Sequence, residues 1–153
     1  MLTHQMLETG RNLAERIPAS VVALISRIAV AAVFWRSGQT KVNGLSIREE
    51  TFFLFREEYN VPLLPPDLAA YMSTIAEHVF PVMLVVGLAT RLSAVGLLVM
   101  TMVIQFFVYP GGWPEHLLWF APLAYIIARG PGAISLDHLI WNGRSFAPAM
   151  ARG

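Results

Sequence analysis

Arg27, Glu77 and His78 are ionisable residues set in the middle of two long apolar stretches, residues 17–35 and 68–89, in a chain that otherwise keeps its charges at segment ends. At bilayer depth such groups cost at least a few kcal/mol each unless paired or hydrated, so they mark a functional site by default. Counting inward from either end places Arg27 and Glu77 at similar depth, because the first stretch ascends and the second descends through the same layer. They are expected to meet as a midplane ion pair. That pair has two readings. It locks two helices without chemistry, since burial offsets much of the Coulomb gain; or it binds or protonates a small polar group, such as a quinone carbonyl or a water chain.

His78 follows Glu77 by one residue and so points about 100° away around a helix. It reads as packing on another face. Haem ligation would need His78 and His116 to approach each other, yet His116 falls near the outer interface and His78 near the middle, so haem is disfavoured. His4 and His138 are peripheral, and no HExxH spacing signals a metal site. Gln39, Lys41, Gln105 and His116, with Trp113, fall toward one side and are expected to line an outer mouth above the Arg27 and Glu77 pair. No GxSxG, Walker or GxGxxG pattern is present, so hydrolase and nucleotide-binding readings have no positive support.

The elements that must position these residues follow from composition. Of 153 residues, 56% are hydrophobic and 14% charged, against roughly 45–50% and about 25% in an average soluble domain. Most of the chain must therefore face lipid or other helices, and the length suits four spans with their connections. The net charge of +1 and the absence of a basic run argue against nucleic acid. With no cysteine, disulfides, a CxxC couple and iron–sulfur clusters are excluded, and any redox role needs a borrowed cofactor.

The expected fold class is all-α: an integral membrane four-helix bundle in one domain, with spans near residues 18–35, 67–90, 92–108 and 115–128. The first stretch has no small-residue cleavage site and outruns a signal-peptide core, so it reads as a retained span. Between the first two spans, Phe52, Phe55 and Tyr59 recur at helical spacing opposite Arg48, Glu49, Glu50, Arg56, Glu57 and Glu58. This predicts a short amphipathic interfacial helix, either a solvated cap or a substrate lid. Pro62, Pro65 and Pro66 separate it from the second span, and Pro81 releases the carbonyl of Glu77 from its helical bond. Thr90 to Leu92 read as a tight turn into the third span. Ser135 is suited to cap a terminal interfacial helix carrying Asp137 in its first turn and Leu136, Leu139, Ile140 and Trp141 on its apolar side.

Arg11, Arg16, Arg91, Arg129, Arg144 and Arg152 fall on one side, and Arg36, Lys41, Arg48 and Arg56 on the other, together with four glutamates. The bias places both termini in the cytoplasm.

In order and spacing the chain resembles the DoxX family of small bacterial four-helix membrane proteins. The resemblance rests on Arg27 followed by FWRSGQTKV (34–42), LFREEYNVPLLPPDLAAYMSTIAEHVFPVMLVVGLATR (54–91), TMVIQFFVYPGGWPEHLLW (101–119) and RGPGAISLDHLI (129–140). It implies a bacterial inner-membrane bundle whose recurring polar positions fall on Arg27, Gly38, Lys41, Glu77 and Arg91. It also implies links to quinone-dependent sulfur oxidation, terminal oxidases, or complexes that answer oxidative or thiol stress. The expected function is a redox-associated subunit, not a stand-alone enzyme, whose polar site contacts a quinone or carries protons. The alternative is a non-enzymatic scaffold held by a structural Arg–Glu pair. Expected partners are membrane lipid, proteins of a redox or stress-response complex, and further copies of the chain. A transporter reading needs a hydrated path, which four short spans form only as an oligomer, and no inverted repeat supports it.

Overall fold

The computed structural model describes residues 17–59 and 61–145. His4, Arg11, Arg16 and Arg152 lie outside them, as does the side chain of Arg144. The described chain is mostly helical: α1 (Ala19–Thr40), a hairpin of β1 (Val42–Asn43) and β2 (Ser46–Ile47), α2 (Glu49–Glu57), α3 (Pro66–Val86), α4 (Thr90–Val103, widening into a π-helical turn over Ile104–Val108), α5 (Trp113–Arg129) and α6 (Leu136–Ser145). Three helical segments, Ala19–Thr40, Pro66–Val86 and Thr90–Val108, are long and apolar enough to cross a membrane. α5 has 17 residues and packs beside them.

Each boundary has a local cause. α1 starts after Pro18, whose carbonyl accepts from Val21 at 2.9 Å, and runs on through Arg36 to Thr40 because nothing before Lys41 breaks it. α3 opens on Pro66, where a missing N–H costs nothing, and continues through Pro81 to Gly87, whose φ of +76° ends it in the left-handed conformation. The turn between α3 and α4 is therefore Gly87–Ala89, and Thr90 and Arg91 already belong to α4. The two short strands were not expected; they pair Val42 with Ile47 and Asn43 with Ser46 around Gly44 and Leu45, with Gly44 at φ +63°.

α1 packs against α3 and α5, and α4 packs against the same two, so the four helices close a cycle in which α3 and α5 are diagonally opposed. Val30, Ala31, Phe34, Leu84, Ala94, Leu97, Leu123 and Ile126 form its buried core. In lipid there is little hydrophobic drive between helices, and close approach through small residues takes its place. Gly38 lets α1 meet α3, since a Cβ there would fall 2.8 Å from His78 Cε1. Gly96 lets α4 meet α3, since its Cβ would fall 2.5 Å from Phe80 Cε2. Outward-facing positions are apolar too: Ile25 and Ile28 on α1, Val79, Val82 and Val85 on α3, and Leu92, Val95 and Val99 on α4 are exposed. A helix apolar on all faces belongs in a core or a membrane.

α2 caps one end of this cycle. Phe55 is buried against Ala69 and Ala70, with Phe52, Tyr59 and Val61 around them, and Arg56 holds Asp67 through two hydrogen bonds of 2.6 Å. At the other end, the link from α5 to α6 is pinned to the start of α1. Ala133 N donates to Ser20 Oγ at 3.0 Å and the Tyr125 hydroxyl donates to Ala19 O at 3.3 Å. Ser135 Oγ accepts from His138 N at 3.2 Å, which is an N-cap bond to α6.

Candidate functional site

Near the α2 end the helices line a half-open cavity of about 820 Å³, walled by residues of α1 to α5. Most of its lining is apolar, including Phe55, Phe80, Met100, Val103 and Trp119. Its polar groups are few: Ser37 and Lys41 from the end of α1, Ser73 and Glu77 from α3, Tyr59 and Tyr109 from the loops, and Glu115 and His116 from the start of α5. An apolar chamber with a few convergent polar groups is the usual form of a small-molecule site.

Glu77 is buried, 2% exposed, and its Oε2 accepts from Lys41 Nζ at 2.7 Å. Lys41 Nζ also reaches Ser37 Oγ at 3.1 Å, and Ser73 Oγ lies 3.5 Å from Glu77 Oε1. Both serines sit four residues before the charge they serve, on the same helix face. Gly38 makes this possible: its missing side chain brings α1 close enough to α3 for Lys41 to cross. The backbone of Lys41 is fixed from the other side, its carbonyl accepting from Arg48 N at 3.0 Å and from the buried Thr51 Oγ1 at 3.1 Å. The ion pair is therefore held by the hairpin and α2 as well as by the helices.

The Tyr59 and Tyr109 hydroxyls face each other at 3.4 Å. Burial, then the neighbouring Tyr109 hydroxyl, push the Tyr59 phenol above its ordinary pKa, so it stays a neutral donor. On the far wall His116, 4% exposed, is hydrogen-bonded through Nδ1 to Gln105 Oε1 at 2.6 Å, and Gln105 Nε2 donates to Pro110 O at 2.7 Å.

The expected Arg27–Glu77 pair does not form. Arg27 is fully buried at the opposite end of the cycle, where its Nη2 donates to the carbonyl of Ile134. Its Nε and Nη1 have no hydrogen-bond partner among the described residues. Arg27 and Lys41 are 14 residues apart, roughly 20 Å along a helix at about 1.5 Å per residue. Val30, Ala31 and Phe34, each 2% exposed or less, fill the space between. The two helices are not level. Antiparallel α1 and α3 are staggered, so Glu77 lies beside the end of α1 and the start of α1 runs past the end of α3.

The Arg27 cluster is itself organised. Asp137 accepts from the backbone N–H groups of Ala89 and Thr90, both at 2.8 Å, and its own N–H donates to Gly87 O at 2.8 Å. Burial raises the Asp137 pKa, but these amides and the positive Arg27 outweigh it and hold the carboxyl below its ordinary value. Gly87 cannot carry a side chain: a Cβ there would run into Arg27 Nη1 and fall 2.8 Å from Ser135 Cα.

A family model described as DoxX matches residues 22–110, more than half of the chain. The chain belongs to the DoxX family. It is also 30% identical over 132 residues to an uncharacterized protein of Haemophilus influenzae, covering 81% of this chain and 86% of that relative. No solved structure matches it. DoxX membership together with the three apolar helices marks a membrane protein. The matched DoxX segment supplies α1 to α4 and hence Lys41 and Glu77; His116 and Trp119, on α5, lie beyond it.

The polar positions implied by the DoxX resemblance divide between the two ends. Lys41 and Glu77 line the cavity and Gly38 packs against Glu77 and His78 beside it, whereas Arg27 lies in the Gly87–Asp137 cluster and Arg91 lies beside Gly130 at that same end, 3.3 Å from where a Cβ would stand. Of the expected mouth residues, Lys41 and His116 line the cavity and Gln105 stands behind His116. Gln39 turns instead to His78, its Nε2 3.0 Å from His78 Nε2, while His78 Nδ1 bonds Thr74 O at 2.7 Å. Trp113 packs on Phe106 outside the cavity lining. Sequence reasoning missed Ser37, Ser73, Tyr59 and Tyr109 as site residues. The two serines had a readable signal, the four-residue spacing to Lys41 and Glu77; the tyrosines, 50 residues apart, had none.

Proposed function

We propose that this DoxX protein is a redox-associated, multi-pass subunit of the bacterial inner membrane, whose cavity takes the ring of a quinone. In this reading α1, α3, α4 and α5 form a membrane-embedded four-helix bundle, α2 and α6 lie at its two surfaces, and both termini are cytoplasmic. The observation that carries it is a mostly apolar chamber of about 820 Å³ with an ion pair in its wall between the buried Glu77 and the half-buried Lys41. An apolar ring fits such a lining, Lys41 Nζ can donate to a quinone oxygen, and Glu77 can accept a proton from its reduced form or return one. Arg27 takes no part, because it belongs to the other end.

Purified protein in lipid nanodiscs, wild type and Glu77→Gln, tests this by quinone affinity and quinone-linked electron transfer. The expected result is a loss of about tenfold or more in one of them, the scale of one charged hydrogen bond. Equal affinity and equal transfer would remove the cavity pair from the function.

A second reading, a non-enzymatic scaffold, is favoured by one fact: Lys41–Glu77 also ties α1 to α3. It expects Lys41→Met with Glu77→Met to restore a stable, functional protein where either single change harms it.

A further inference from the structure

One imidazole in the cavity has its hydrogen bonding half complete. Pro110 O can only accept, so it fixes the Gln105 amide with Nε2 toward it and leaves Oε1 for His116. An amide oxygen also only accepts, so His116 Nδ1 must carry the hydrogen. In the neutral ring Nε2 is then a bare acceptor. It has no hydrogen-bond partner among the described residues, and the ring lines the cavity. The orientation is fixed by packing as well. Trp119 lies against the ring at 4.8 Å between centroids, and Gly112 leaves the space that it fills, since a Cβ there would fall 2.6 Å from His116 Cε1. Gln105 itself is buried and presented from the π-helical turn of α4, an irregularity frequent at functional sites.

We infer that His116 is a specificity-determining acceptor in this cavity, set in its accepting tautomer by Gln105 as a positioning residue, and that it selects the hydroquinone form of a ring ligand over forms without a hydroxyl hydrogen. This rests on the quinone reading proposed above. His116 comes from α5 and Glu77 from α3, the diagonally opposed helices, so a ring with oxygens at both ends meets the ion pair with one and the imidazole with the other. Lys41 donates and Glu77 accepts, so that pair tolerates either redox form. His116 Nε2 accepts only and is the group that discriminates.

Calorimetric titration of the full chain in nanodiscs with a short-chain alkyl hydroquinone, its quinone and its dimethyl ether tests this. The wild type should bind the hydroquinone about tenfold tighter than the ether, the scale of one buried hydrogen bond. In His116→Phe and in Gly112→Ala, which keeps the imidazole but displaces it, the preference should fall to about twofold or less. Nitrogen-15 NMR of histidine should show one Nδ1–H tautomer for His116 in the wild type and a mixture in Gln105→Leu. Equal binding of hydroquinone and ether by the wild type, or a preference kept by folded His116→Phe, would overturn the inference while leaving the quinone site standing. No binding of any of the three compounds would overturn both.

Discussion

A buried charge is defined by the partner it meets. Glu77 meets Lys41 at 2.7 Å, and Arg27 meets the carbonyl of Ile134 and the field of Asp137. Groups in direct contact couple by about 0.5–3 kcal/mol in double-mutant cycles, whereas sites beyond about 10 Å with no shared partner add within about 0.5 kcal/mol. Lys41→Met with Glu77→Gln should therefore be non-additive in thermal or denaturant unfolding, and Arg27→Met with Glu77→Gln additive. A coupling above about 1 kcal/mol in the second pair would mean that the two ends communicate. The residue types were legible in the sequence as intramembrane charges. Their partners were not, because partner choice depends on a stagger between α1 and α3 that is summed over contacts between residues far apart in the chain.

At the scale of elements, two devices close the ends of the helix cycle. α2 and the loop after it close one through Phe55, Arg56 and Tyr59; the amphipathic pattern was readable from Phe52, Phe55 and Tyr59, but the hold of α2 on Lys41 through Thr51 was not. The start of α6 closes the other. Ser135 was readable as the cap and Asp137 as a first-turn residue, yet Asp137 also caps the amides that open α4, a contact across 47 residues. Because its carboxyl is held below the ordinary value of 3.8, Asp137 contributes stability at all pH values above that, and the contribution is lost as pH falls through and below it. The unfolding temperature of the wild type should thus exceed that of Asp137→Asn at pH 7. The gap should persist to about pH 5 and close below about pH 4. A gap independent of pH would show that the carboxylate charge is not what holds this turn.

For the whole molecule, the proposed four-span arrangement requires α5 to cross the membrane with the other three. The chain has no cysteine, so single cysteines report without background. Leu45 at the hairpin tip and Gly111 between α4 and α5 are exposed at one end, and Leu88 and Ala133 at the other. In oriented vesicles, Leu45→Cys and Gly111→Cys should react with an impermeant maleimide from one side, and Leu88→Cys and Ala133→Cys only from the opposite side. Labelling of Ala133→Cys from the same side as Gly111→Cys would mean that α5 lies on the membrane without crossing it.

By itself the sequence determined the class of molecule and most of its segmentation. A 56% hydrophobic chain with long apolar runs, charges at segment ends, prolines at helix starts and Gly87 at a helix stop satisfies its backbone groups in lipid as helices. These are local signals, carried by neighbours within a turn or two. Tertiary structure alone decided that Glu77 belongs to Lys41, that Arg27 belongs to the Gly87–Asp137 turn, and that His116 shares a chamber with both tyrosines. Those outcomes depend on how far one helix slides along another. That is set by where small residues such as Gly38 and Gly96 let backbones approach, and it is summed over contacts between residues far apart in the chain.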